Sequence, residues 1–230
     1  MSSSIPGHGA AVPGSGPRSS PVARVSRSAL EANARTAWGR GIRSFAPSLL
    51  EADAWGHDRV LVHEVLDRQG FTRAQTAATS GAVLTGETLF GLPGGHGTPL
   101  PALRLTGTVL SVKDLRAGEG VSYGYAFRAP RDTRVALVTG GYAQGVVRAL
   151  GGAVDVAVHA IRHPIVGRVA MDVCVVEVGD AAIHRGEEVL FLGDPAQDEP
   201  SLAAWVRATG LTPAELVTTV GLRATREVVP

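Results

Sequence analysis

Three short segments hold side chains that can move a proton or meet a small substrate. They are Gly120-Val121-Ser122-Tyr123-Gly124, Gly141-Tyr142-Ala143-Gln144-Gly145-Val146-Val147-Arg148, and Pro164-Ile165-Val166-Gly167-Arg168-Val169-Ala170-Met171-Asp172. The first two set a tyrosine among glycines at predicted strand ends, where a side chain can face a cleft. A tyrosine hydroxyl serves as acid or base once its pKa is lowered. Taken alone, a tyrosine reads more simply as packing. His57, His63 and Glu64 do not make a metal site, because ligands on one helix face pair at three- or four-residue spacing. His159 and His163 are four apart but lie in strand or turn territory, so these histidines read as surface or structural. The glycines from Gly91 to Gly97 lead into prolines and a strand rather than a helix N-terminus, which predicts a linker and not a phosphate loop.

The basic residues narrow the chemistry further. Of 22 Lys and Arg, one is lysine, Lys113, and the other 21 are arginine. A mechanism that needs a side-chain amine must use Lys113, since a guanidinium stays protonated. The net charge of +1 gives no sign of a nucleic-acid partner. No stretch approaches the ~20 apolar residues of a membrane span. The single Cys174, within an apolar run, reads as a small buried hydrophobe and excludes an intrachain disulfide. A cytoplasmic location is expected, because the N-terminal residues lack a basic start followed by an apolar core.

The elements that would position these groups fall into two textures. Residues 1–20 are rich in Ser, Gly and Pro and predict a disordered tail. Residues 21–93 predict an α/β segment. It has a strand from Val22, a helix capped by Ser28 with Leu30, Ala34 and Ala37 inward, and a buried strand near Ser48–Leu50. A polar turn from Glu51 to His57 follows, then a helix from Arg59 to Gln69 with Val60, Val62, Val65 and Leu66 as its apolar residues, and a short strand and turn between Gly81 and Leu92. Residues 94–101 predict a linker. Residues 102–230 predict short strands at 103–115, 134–140, 153–161, 169–178 and 187–193 with glycine turns between most of them, the pattern of a small barrel or sandwich. Two helices follow, Ser201–Ala208 and Thr212–Val220, with Ser201 and Thr212 as caps and Pro213 at a first helical position.

The three glycine-rich segments, in this order and spacing, resemble the C-terminal domain of alanine racemases, over about Leu100 to Pro230. Val25-Ser26-Arg27-Ser28-Ala29-Leu30-Glu31-Ala32-Asn33 resembles that family's first strand and helix. Leu49-Leu50-Glu51-Ala52-Asp53-Ala54-Trp55-Gly56-His57 resembles its cofactor-lysine segment, which reads Val-Lys-Ala-Asp-Ala-Tyr-Gly-His. The resemblance implies a mainly β fold with a small α/β segment: a C-terminal β-barrel domain joined to an incomplete (β/α) barrel. It implies pyridoxal phosphate at the barrel mouth, held as a Schiff base by a lysine, and a tyrosine from the other subunit of a dimer acting on the opposite face of the substrate. Tyr123 then matches the catalytic tyrosine. Met171 and Asp172 match a pair lining the substrate site, Tyr142 matches a tyrosine at the active-site entrance, and Arg168 reads as structural.

The departures change the expectation. Glu51 stands at the position of the cofactor lysine, and a carboxylate cannot form an imine with an aldehyde. Trp55, Gln144 and Ala214 also replace the residues usual in the family. A complete (β/α)₈ barrel takes about 200 residues or more, and residues 21–93 join only its start to its end, through Gly86-Glu87-Thr88-Leu89-Phe90-Gly91-Leu92-Pro93. The missing middle carries the family's phosphate loops. Lys113 lies in the strand leading into the β-domain. The expected function is therefore a racemase-related pseudoenzyme without covalent pyridoxal phosphate, paired with its own copy or with a full-length racemase to which it presents Tyr123. The alternative is an active racemase of L- and D-alanine.

Overall fold

The computed structural model describes residues 19–75, 82–122, 124 and 126–230. Tyr123 and most of the predicted tail lie outside the described residues.

The chain opens with β1 (Val22–Ser26), and Ser26 then caps α1 (Arg27–Gly39) by accepting a hydrogen bond from the Ala29 N–H. The cap is Ser26 rather than Ser28, because the chain turns helical directly at the strand's end and Ser28 already lies in the first turn. Ala29, Leu30, Ala34 and Ala37 are buried along one stripe. β2 (Ser44–Phe45) is followed by a 3₁₀ turn, Pro47–Leu50, where a buried strand was expected. Pro47 accounts for the difference: its fixed φ suits a first helical position, and it has no N–H to give to a ladder. Next comes α2 (Glu51–Trp55), a left-handed turn with φ between 47° and 56° at Ala52, Asp53, Ala54 and Trp55. α3 (Arg59–Gln69) has the predicted bounds, but Leu61 is buried where Val60 was expected, and Val60 is exposed. Asp58, the cap, accepts from the N–H groups of Val60 and Leu61, which turns Val60 outward on the first turn.

β3 (Thr72–Arg73) and β4 (Val83–Leu84) flank β2, both parallel to it. α4 (Gly86–Phe90) follows, a helix where a strand and turn were expected. Thr85 caps it, and Gly91 ends it in the left-handed conformation. Phe45 and Leu84 are buried against α1, α3 and α4. Strand alternation sends Ser44, Thr72 and Val83 to the other face. That face, which would line the interior of a closed barrel, is thus mostly polar.

β5 (Leu103–Leu115) starts the second half with the predicted bounds. The hairpin β6 (Gly120–Val121) and β7 (Phe127–Arg128), then β8 (Thr133–Thr139), come next. β9 (Asp155–Val158) and β10 (Ile161–Val166) form a second hairpin, where a single strand over 153–161 was expected. The turn lies at His159 and Ala160, at φ of 50° and 62°, and neither residue type announces a left-handed turn. β11 (Val173–Glu177) and β12 (Glu188–Leu192) complete the barrel strands. α5 (Leu202–Thr209) and α6 (Pro213–Arg223) have the predicted caps, Ser201 and Thr212, and the Glu215 carboxylate accepts from the Thr212 N–H to close a capping box. The final strand, β13 (Thr225–Val229), was not expected.

β12, β9, β10, β11, β8 and β5 pair in that order, and β12 pairs with β5 to close a six-stranded barrel. Closure removes the open edges that a flat sheet would expose. Val109, Val138, Val156, Ile165, Cys174, Val176 and Phe191 fill its interior. Burial pushes the Cys174 thiol up to about 12, so it behaves as the expected hydrophobe. β1 extends β5 in the antiparallel sense and β13 extends β1 in the parallel sense. The first strand of the α/β segment is therefore hydrogen-bonded to β5 and to the end of the chain. No helix among the described residues is long and apolar enough to cross a membrane.

Candidate functional site

The left-handed turn α2 carries Glu51, which is exposed. Left-handed backbone costs roughly 1–2 kcal/mol per non-glycine residue, so the turn persists only because its surroundings hold it. The Asp53 carboxylate accepts from the Arg59 N–H at 2.9 Å and from Arg226 of β13 at 2.5 Å. The Trp55 indole N–H donates to the Ser48 carbonyl at 3.0 Å, and its ring lies against Gly86, where a Cβ would sit within 2.7 Å of it. Gly56 and Gly221 of α6 touch backbone to backbone, so neither tolerates a side chain. His57 is fully buried, stacked 4.1 Å from Phe90, with its Nδ1 between the carbonyls of Ala54 and Trp55. Burial holds its pKa down to about 4, so the ring is neutral and structural.

The other predicted residues that are described, Tyr142, Arg168, Met171 and Asp172, gather at loops of the six-stranded barrel. The segment 167–172 links them. At one end the Arg168 N–H donates to the Ser122 hydroxyl at 2.7 Å, and Gly167, at φ 68°, packs on that hydroxyl. At the other end the N–H of Tyr142 donates to Ala170 at 2.9 Å and that of Ala143 to Met171 at 3.0 Å. The Gln144 side chain closes the loop by accepting from the Gly141 N–H. Tyr142 lies under the Arg148 guanidinium, 4.3 Å from the ring centroid. Met171 and Asp172 are exposed. The structure thus brings Tyr142, Met171 and Asp172 together beside Ser122, the neighbour of Tyr123. Glu51 sits elsewhere, on the turn that packs on α6. The same helix backs both regions, for Gly145 packs on the backbone of Val220 as Gly56 packs on Gly221.

Arg226 and Gly221 are site-supporting residues that sequence reasoning missed. Gly221 interrupts an otherwise apolar helix face, and a mid-helix glycine is a signal of close backbone approach. Arg226 carried no local signal.

A six-stranded barrel fed by a parallel α/β segment, with a glycine-bounded tyrosine loop beside a Met-Asp loop, defines a class of protein. The family model for the alanine racemase C-terminal domain matches residues 102–228, and the chain belongs to that family. It is 43% identical over 129 residues to the alanine racemase of Mycobacterium leprae, covering 55% of this chain and 33% of that protein. It is 38% identical over 126 residues to that of Thermobifida fusca, covering 55% and 34%. The chain thus spans about a third of the length of the curated relatives it matches. Among solved structures, alanine racemase from Streptomyces coelicolor superposes with a TM-score of 0.80 at 18% identity, over 92% of this chain and 98% of that one. Alanine racemase from Bartonella henselae with covalently bound pyridoxal phosphate gives 0.75 at 17% identity, over 91% and 99%. At those identities the likeness establishes the fold.

The residues present do not fit a cofactor anchored through an imine. Glu51 offers a carboxylate on the turn, and Lys113 lies on β5 seven residues beyond Thr106, where β1 is paired. That is roughly 23 Å along an extended strand.

Proposed function

We propose that this chain does not racemise alanine by itself and instead acts as a partner subunit. It presents the Ser122–Gly124, Tyr142 and Met171–Asp172 loops to a racemase-family chain that carries its own lysine and pyridoxal phosphate. The observation that carries this reading is Glu51. The backbone around it keeps a costly left-handed shape held from several sides, yet the residue it carries has no amine. On this reading the partner supplies the amine and the cofactor. This chain supplies the Tyr123 hydroxyl as a proton donor and acceptor, with Met171 and Asp172 beside it at the substrate. The exposure of Met171 and Asp172 supports the reading, since both are free to be covered by another chain.

The test mixes the purified chain with a lysine-bearing alanine racemase and follows association by size exclusion. A stable complex burying on the order of 2,000 Å² or more is expected, whereas the chain alone shows neither imine absorbance nor conversion of L- to D-alanine. Turnover by the chain alone, or failure to associate while circular dichroism shows an intact fold, overturns the proposal. Glu51→Lys is expected to leave the isolated chain inactive, because one amine does not rebuild the rest of a cofactor pocket.

A further inference from the structure

A cleft of about 390 Å³ beside β5 and the start of β8 is lined by Lys113, Asp114, Arg134, His184 and Arg185. Three of these side chains are cationic and one is anionic, and the His184 ring is engaged by Glu187 at 3.3 Å. Seven arginines elsewhere, Arg24, Arg27, Arg35, Arg68, Arg104, Arg162 and Arg226, each lie within 4.0 Å of a carboxylate. In the cleft, Lys113, Arg134 and Arg185 have no carboxylate partner among the described residues. Asp114 is directly opposite Arg134 in the β5–β8 ladder, but Arg134 turns from it. Its Nε donates to Gly179 at 3.0 Å and an Nη to Ala181. Those two carbonyls fix the plane of the guanidinium and leave its other Nη without a partner among the described residues.

The arrangement is also built into the backbone. Arg185 rides on a turn stitched to β5 by two hydrogen bonds, Gly186 N–H to Val109 at 2.8 Å and Val109 N–H to Glu187 at 2.9 Å. This holds Arg185 beside the strand that carries Lys113. A planar guanidinium with a fixed orientation, flanked by an ammonium and a second guanidinium, matches the geometry and charge of a phosphate group. We propose that this cleft binds phosphate, either free as diphosphate or carried by a small phosphate monoester.

Lys113 makes the test clean, because it is the only lysine in the chain. The full chain is acetylated with a neutral active ester at fixed ionic strength, and the rate at Lys113 is read by peptide mass mapping. Millimolar pyrophosphate or phenyl phosphate, against chloride, is expected to slow acetylation at least five-fold. Protection by pyrophosphate alone identifies the free anion, and protection by phenyl phosphate identifies the monoester. Arg185→Gln, an exposed substitution that leaves the turn's backbone bonds in place, is expected to abolish the protection. Equal rates in chloride and in both phosphates overturn the proposal. So does protection that survives Arg185→Gln, or protection given by an oligonucleotide duplex and by neither small phosphate.

Discussion

Arg226, on the last strand, holds the carboxylate of Asp53, on the left-handed turn, at 2.5 Å across 173 positions of sequence. Partial burial pushes the Asp53 carboxyl up. The Arg59 N–H and the Arg226 guanidinium outweigh it, so the group ionises below its ordinary value. A depressed carboxyl adds stability above its unfolded pKa of about 4 and loses it as pH falls through the lower folded value. Arg226→Gln should therefore cost about 1 kcal/mol at neutral pH. Urea unfolding at pH 7 and pH 3 should show that deficit shrinking in acid. A deficit equal at both values would show that the pair contributes no linkage.

His57 shifts the other way along the same axis. Its ordinary pKa of 6.5 falls to about 4 because the ring is fully buried. Protonation then favours the unfolded chain between those values, and stability is lost as pH drops from about 6.5 towards 4. One proton over that window amounts to at most about 3 kcal/mol. His57→Phe keeps an aromatic ring against Phe90 and removes the titration. Its unfolding free energy should be flatter than the parent's between pH 4 and 6.5.

Asn33 is a buried amide whose role is visible only in three dimensions. Its Nδ2 donates to Leu89 at 2.9 Å and to Leu100 at 2.8 Å, and its Oδ1 accepts from the Leu100 N–H at 2.8 Å. It pins the predicted linker back onto α1 and α4. Asn33→Leu strands three backbone groups and should cost about 3 kcal/mol. A loss under 1 kcal/mol in chemical denaturation would mean that those groups find other partners.

Met171 is 55% exposed, so Met171→Glu should leave the melting temperature of the isolated chain nearly unchanged. If the proposed partner covers that loop, the buried charge should weaken association with a lysine-bearing racemase by tenfold or more. Unaltered affinity, measured by titration calorimetry, would move the contact surface elsewhere.

Much of the local architecture was legible because its causes are local. The alternation from Leu103 to Leu115 and the apolar spacing between Arg59 and Gln69 are written in consecutive residues. Ser201, Thr212 and Pro213 act within one helical turn. Errors arose where a local signal was weak or misleading. His159 and Ala160 turn a hairpin without glycine or asparagine. Pro47 starts a 3₁₀ turn where Leu49 and Leu50 look like a strand.

By itself, the amino-acid order determined the strands and caps, the family resemblance, and the lack of an amine at residue 51. All of these depend on residue type and short spacing. Folding alone decided that β12 returns to β5 and shuts the barrel, that residues 167–172 tie Ser122 to Tyr142, and that Arg226 locks the turn bearing Glu51. Those contacts join positions far apart in the chain, and no periodicity encodes them. They form because closing the sheet and pairing Asp53 leave few backbone and polar groups unsatisfied, and because the His57 ring packs on Phe90 in the core.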